Sequence, residues 1–224
     1  MENVIVLASG GLDSYVLTHW LKKQGKKITI LFIDYNQKSL KPELGAVRKL
    51  ARETNSKLEI IKLKWLGKIS TSLINKKNKA KTKDEIINWY VPFRNSIFIN
   101  LALALAESIY IKTKKKNDIY LGIKYEGLKS QRFKDTTPEF LRQMNKLADF
   151  SEQTKFKILA PFLNKDKEDI VELGNKMNLK LENSFSCYIS NLNSHCGVCA
   201  GCLARKKAFK FSKSQIKDTT RYIK

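Results

Sequence analysis

An apolar run from Val4 to Leu7 leads straight into Ala8-Ser9-Gly10-Gly11-Leu12-Asp13-Ser14, and an amphipathic helical pattern follows from Tyr15 to Lys23. That is a strand, a glycine turn and a helix. A chain that begins this way is committed to layers in which helices pack back on the strands that feed them. Two adjacent glycines let the backbone come close to a bound anion. The amides at the helix start then point at that anion, and the helix dipole favours negative charge there. Ser9 and Ser14 add hydroxyl donors, and Asp13 is a candidate magnesium ligand. The G-x-x-x-x-G-K-[ST] pattern is absent, so kinase-like loss of a terminal phosphate is not what the loop suggests. A generic strand-to-helix turn has no need of two serines and an aspartate at these positions.

The rest of the chain repeats the alternation. Lys27 to Ile33 predicts a second buried strand, Pro42 to Glu53 a helix, and Lys57 to Leu63 a third strand. Trp65 to Ile74 predicts a short helix, and the lysine-rich stretch Asn75 to Asn88 a loop. Asn95 to Tyr110, apolar and alanine-rich, predicts a buried helix, and Asp118 to Ile123 a strand. Pro138 to Phe150 is helical, with Pro138 suited to the first turn. Phe156 to Leu159 predicts a short strand and Lys165 to Met177 a helix. The fold class expected is therefore α/β: a Rossmann-like parallel sheet with helices on both faces, and ligands beyond the carboxyl ends of the strands. His19 falls inside the first helix and reads as a packed or half-exposed residue.

At 224 residues the chain can bury one sizeable core with a small appendage. No apolar stretch is expected to match a membrane span, and the N-terminus resembles neither a signal nor a transit peptide. A cytoplasmic location is the expectation. The net charge of +22 admits a nucleic-acid partner. However, lysine far outnumbers arginine, the better bidentate phosphate reader, and the lysines are spread along the chain. Background composition explains the charge better, and nucleic acid is not required. The field would still draw in anionic ATP.

All four cysteines lie near the C-terminus, as Cys187, Cys196, Cys199 and Cys202. In a cytosolic protein such clustering favours metal over disulfides. Four thiolates at this spacing suit a closed, structural zinc site, and an iron–sulfur cluster is the alternative. Gly197 and Gly201 would allow the tight turns, and Arg205, Lys206 and Lys207 would offset the negative charge. His195 directly precedes Cys196, which makes it an awkward ligand. The chain thus divides into a nucleotide domain, 1–182, and a zinc-binding segment of helix and loop, 183–224.

The Ser9–Ser14 loop resembles the pyrophosphate loop, S-G-G-x-D-S, of the ATP pyrophosphatases, which adenylate a substrate and release pyrophosphate. Three further stretches narrow the resemblance: Asp34-Tyr35-Asn36-Gln37-Lys38, Val91-Pro92-Phe93-Arg94-Asn95, and Ser186-Cys187-Tyr188 leading into His195-Cys196-Gly197-Val198-Cys199-Ala200-Gly201-Cys202. Together they resemble the 7-cyano-7-deazaguanine synthase (QueC) family from residue 3 to about residue 210. The resemblance implies a ligase that adenylates 7-carboxy-7-deazaguanine with ATP and Mg²⁺. Ammonia then gives the amide, and a second ATP gives the nitrile. It implies ATP binding by Ala8, Ser9, Gly10, Gly11, Leu12, Asp13, Ser14 and Tyr15. It implies catalysis by Asp13, Ser14 and Arg94. It implies substrate binding by Tyr35, Gln37, Arg94, Asn95, Asp135 and Glu139, and zinc on the four cysteines. A homodimer is implied as well. Bland readings stand beside these: Tyr35 as packing, Arg94 as partner of an acid, Asn95 as a helix cap. Lys165 is a weaker site candidate.

The chain departs from the family pattern over Lys124 to Thr137, where only Asp135 survives of the acid-binding stretch, with Pro138, Glu139 and Phe140 just after it. Asn36 stands for a glycine and Ser39 for a histidine. QueC-like proteins of antiphage operons, which join an activated deazaguanine to the amino terminus of a partner protein, are the alternative. A tRNA-thiolating or nucleic-acid-binding zinc protein is the alternative of another class. Residues 1–186 contain no cysteine, which excludes a sulfur carrier there.

Overall fold

The computed structural model describes residues 1–69, 91–125 and 133–223. Strand β1 (Asn3–Leu7), helix α1 (Leu12–Lys23), β2 (Lys27–Asp34), α2 (Leu40–Glu53) and β3 (Lys57–Lys62) follow in order. Of the helix predicted over 65–74, the single turn α3 (Leu66–Ile69) is described. The rest of that prediction and the loop predicted over 75–88 lie outside the described residues. Then come α4 (Arg94–Thr113), β4 (Asn117–Leu121), α5 (Pro138–Ala148), β5 (Ile158–Leu159), α6 (Lys167–Lys176) and α7 (Ala200–Lys210). Helix α5 starts where Pro138 takes the first turn and the Thr137 hydroxyl accepts the Phe140 amide. Helix α6 starts on a capping box between Asp166 and Asp169.

The five strands form one parallel sheet in the order β3-β2-β1-β4-β5. Successive side chains of β1 face opposite ways. Val4 and Val6 join α1, α2, Phe162 and α6 on one face, while Ile5 joins α4 and α5 on the other. The order reverses between β1 and β4, and that is where a crevice opens beyond the strand ends. At this point the chain needs Gly122: a Cβ there would lie 2.9 Å from the Ser14 amide nitrogen. The close approach brings the end of β4 against the first turn of α1.

Helix α4 corrects two expectations. It is not a buried helix, and by length and composition it is apolar enough to cross a membrane, with a mean hydropathy of 1.3 and 17% of its window buried. Ile99, Ala102 and Ala106, spaced three and four apart, form the stripe that packs on the sheet. A helix lying on one face of a sheet buries one stripe only, so its other apolar residues stay half-exposed.

Segment 183–224 is tied to the sheet layers rather than hung from them. The Phe185 amide donates to the Gly10 carbonyl at 2.8 Å. Ala208 and Phe209 of α7 enter the core shared with α1 and α6. The chain end returns to the cysteines, where His195 and Tyr222 form a parallel bridge.

Candidate active site

The turn after β1 is made at Gly10, whose φ of +79° lies in the left-handed region that strains a side chain. A Cβ there would also lie 2.8 Å from the Glu43 carbonyl oxygen, so the first turn of α2 presses on the loop. Gly11 caps α1 with no side-chain bond, which leaves the amides of the first turn without partners inside the helix. Ser9 Oγ accepts the Gly11 amide at 3.3 Å, and Ser14 Oγ donates to the Gly11 carbonyl at 3.0 Å.

Ala8, Ser9, Gly11, Asp13 and Ser14 line a cavity of about 1030 Å³. The other predicted loop residues do not. Gly10 is spent on the turn. Leu12 and Tyr15, each 1% exposed, lie together in the core beneath it, as a spacing of three on a helix dictates. The Tyr15 hydroxyl donates to Glu53 at 2.7 Å, away from the cavity, and that carboxylate also faces His19 at 3.3 Å.

Asp13 Oδ2 accepts the Lys167 ammonium at 3.1 Å, whereas Asp13 Oδ1 is buried and accepts nothing among the described residues. Burial pulls Lys167 toward losing its proton, but the Asp13 carboxylate outweighs it and holds the lysine charged. Lys165, the residue suggested by sequence, is exposed. Lys167, two positions later and first in α6, is the one that lines the cavity.

A second group of side chains comes from the end of β2. Asn36 holds φ +63°, which accounts for the glycine that the family pattern carries here: asparagine is among the few residues that tolerate this backbone. Gln37 is turned inward. Its Oε1 accepts the Tyr35 amide at 3.1 Å, and its Nε2 donates to Glu43 Oε2 at 2.8 Å. Its amide is therefore used in bracing the loop. Ser39 donates to Glu43 Oε1 at 2.6 Å, so the serine that replaces histidine serves the same carboxylate. Glu43, missed by the sequence reading, lines the cavity, and burial pushes its carboxyl up to about 7 against the pull of the Ser39 and Gln37 bonds. A signal for it existed: Glu43 falls on the helical stripe otherwise taken by Ala46, Val47 and Leu50.

A third group comes from the start of α4. Phe93 caps that helix at φ +53°, an uncommon backbone for an aromatic residue, and hands over to half-buried Arg94. Burial alone would lower the Arg94 pKa, but Tyr35, Tyr188 and Asp135 around it outweigh that and raise it. Burial in turn pushes the Tyr35 hydroxyl up to about 12. Asn95 does not cap the helix by its side chain; its Nδ2 donates to the Asp135 carbonyl at 3.2 Å. Tyr35, Gln37, Arg94, Asn95 and Asp135 all line the same cavity as the glycine loop. Glu139 does not. It sits on the outer side of α5, where Arg142 holds it at 2.7 Å. Its place in the first turn beside Pro138 points it to solvent. Of the altered stretch, residues 124–125 and 133–137 are described, and residues 126–132 lie outside the described residues.

The four cysteine sulfurs lie within 4.8 Å of one another, with Cys187–Cys199 and Cys196–Cys202 both at 3.8 Å. Zinc–sulfur bonds of about 2.3 Å in a tetrahedron require sulfurs about 3.8 Å apart, so the donor set fits zinc. Backbone amides of Tyr188, Ser190, Cys196 and Cys199 point at these sulfurs, as suits thiolates. His195 is not part of the set; its Nε2 accepts the Ser186 amide at 2.9 Å. Gly201 serves close approach rather than a turn, since a Cβ would lie 2.1 Å from the Ser186 carbonyl oxygen. Nor does Arg205 offset the thiolates chiefly. It is fully buried and donates to Ser184, Ser186, Thr220 and the Leu181 carbonyl. The knot instead orients α7, whose Ala200, Leu203, Ala204 and Lys207 close one wall of the cavity.

The sequence matches known proteins over nearly its whole length. A family model described as queuosine biosynthesis protein QueC matches residues 3–213. A protein of Methanosphaera stadtmanae named 7-cyano-7-deazaguanine synthase is 34% identical over 232 residues, covering 98% of this chain and 98% of its own. A relative of the same name from Methanobrevibacter smithii is 33% identical, covering 99% and 98%. One from Nitratiruptor is 34% identical, covering 97% of both. The matches run nearly end to end and span the glycine loop, the Arg94 corner and the cysteine knot alike, and this chain belongs to the QueC family.

Proposed function

We propose that the cavity adenylates a 7-carboxy-7-deazaguanine with ATP, releasing pyrophosphate, that ammonia displaces AMP to give the amide, and that a second ATP adenylates the amide oxygen, which leaves as AMP to give the nitrile. The observation that carries this reading is that one cavity is walled both by the glycine loop and by the Arg94–Asn95–Asp135 corner. An anion site and a site for a planar acid so joined suit transfer of an adenylyl group between them.

Each residue then has work. The amides opening α1 and the Ser9 and Ser14 hydroxyls receive the phosphates. The substrate carboxylate attacks the α-phosphorus, and its bond to the pyrophosphate oxygen breaks. Lys167 offsets the charge that gathers on the leaving pyrophosphate. Asp13 Oδ1, without a partner among the described residues, suits a hard divalent cation, and magnesium bound there would supply further charge neutralisation. Arg94 presents a planar fork to the acid, Asn95 and Asp135 bound the base, and the Tyr35 ring closes the pocket wall. The zinc knot acts at a distance, by fixing α7 against the opening and helping to exclude water from the adenylate. The homodimer that the family resemblance implies and the cytoplasmic location expected from the sequence belong to the same proposal.

The test is direct. Zinc-loaded protein is incubated with ATP, Mg²⁺, ammonium and the deazaguanine acid, and the products are weighed. Nitrile, AMP and pyrophosphate are the expected products. If the acid elicits no exchange of pyrophosphate into ATP and neither amide nor nitrile forms, the reading fails.

A further inference from the structure

Glu43 is a carboxylate on the cavity wall whose oxygens are held by neutral groups. Asp13, on the same wall, faces Lys167 at 3.1 Å. Glu43 instead receives the Ser39 hydroxyl on Oε1 at 2.6 Å and the Gln37 amide on Oε2 at 2.8 Å. Gln37 is itself fixed, because its Oε1 holds the Tyr35 amide. The frame sets the carboxylate in one orientation. It takes one lone pair of each oxygen and leaves capacity on both. Burying an acid costs folding energy unless something is gained by it, and the helix turn that carries Glu43 lies directly against Gly10 of the loop.

Besides ATP and a planar acid, the proposed reaction needs an amine. Ammonium enters as a cation, and Arg94, Lys124, Lys167 and Lys207 all line the cavity. Ammonium is also no nucleophile until it loses a proton, which it keeps at neutral pH much as a lysine does. We propose that Glu43 is the amine site of this enzyme: it binds the incoming ammonium and takes its proton. The inference rests on the function proposed above.

Burial sets the carboxyl at about 7, against the Ser39 and Gln37 bonds and the nearby Arg94 charge, which pull it down. A group balanced near neutral pH both accepts and releases a proton readily. In the step itself, one proton passes from ammonium to Glu43. The freed lone pair attacks the acyl carbon, a C–N bond forms, and the bond from that carbon to the AMP oxygen breaks. The second proton leaves the tetrahedral nitrogen to solvent, and Glu43 later returns its own.

The test separates the amine step from adenylation. Glu43→Gln is compared with wild type for acid-dependent pyrophosphate exchange, for amide formation from ammonium, and for hydroxamate formation from hydroxylamine, which is neutral at pH 7 and needs no base. Expected is a loss of about 100-fold or more in kcat/KM for ammonium, the usual reach of a general base. Exchange and hydroxamate formation stay within a few fold. Glu43→Asp, which keeps the base on a shorter arm, regains part of the ammonium reaction. Equal losses with both amines, or a raised KM for the acid in the exchange assay, would overturn the proposal and make Glu43 a reader of the deazaguanine edge. An unchanged ammonium rate would overturn it too. Absence of exchange in the wild type refutes the parent reading instead.

Discussion

Asp13 and Arg205 are both charged and both held inside the molecule, yet their surroundings are opposite. Arg205 is 0% exposed, and its donors reach Leu181, Ser184, Ser186 and Thr220, with Asp218 at 3.7 Å. In the cysteine knot beside it three of the four cysteines are buried, and amides are turned onto its sulfurs. Asp13 keeps one oxygen buried and unbonded among the described residues. Buried polar groups are almost always satisfied, so the exception points to where a ligand completes the bonding. One region uses polarity to lock the C-terminal segment onto the sheet. The other keeps bonding capacity in reserve beside a cavity.

Breaking the closed region should cost the fold. If the knot holds the zinc its donor set fits, chelation should unfold it and abolish turnover, because structural thiolate sites contribute on the order of 10 kcal/mol in small zinc modules. Metal analysis with thermal unfolding reads this out; an unchanged melt after zinc is stripped would refute the structural role. Arg205→Ala should cost about 3–5 kcal/mol, because it takes the buried cation from Asp218, which keeps only its Thr220 and Tyr222 bonds, and removes a donor from Ser184, Ser186, Thr220 and the Leu181 carbonyl. Denaturant titration measures it, and a loss under 1 kcal/mol would show that the strut is dispensable.

Breaking the open region should cost activity and spare the fold. Asp13→Asn should reduce turnover by about 100-fold or more while the thermal midpoint moves little. A large drop in that midpoint would put Asp13 with the structural groups. Glu43 offers a subtler sign. Its folded-state pKa, about 7, lies above the ordinary 4.5 because burial disfavours the ionised form. Its contribution to stability is then fully present below pH 4.5 and is lost as pH rises through about 7. Wild type should lose stability relative to Glu43→Gln across that window, as urea unfolding at several pH values would show; parallel curves would refute it. The smallest effect belongs to Glu139→Ala, whose side chain lies outside the cavity. Turnover and the KM for the acid should stay within about two-fold, and a larger change would return Glu139 to the substrate pocket.

The layers of the fold were legible because each depends on local pattern. The strand alternation, the helix stripes, Pro138 at a first turn and the glycines of the loop act over a few residues. The cysteine spacing was legible for the same reason. The sequence reading failed where a residue's fate depends on distant partners. Helix α4 is apolar enough to look buried, but lying on one face of the sheet it buries a single stripe. Gln37 lines the cavity as a binding residue would, but only the tertiary structure shows its amide bonded to Glu43 and Tyr35. Lys165 and Lys167 are indistinguishable as lysines; only the packing of α6 on α1 brings the second to Asp13.

By itself the sequence determined a parallel α/β sheet, an anion loop after its first strand and a four-sulfur knot near its end, since backbone conformation and ligand spacing are short-range properties. The tertiary structure decided which charges face one another. It alone left Asp13 Oδ1 open, closed Arg205 and aimed Glu43 at the cavity, because bonding partners far apart in the chain meet only when the layers pack.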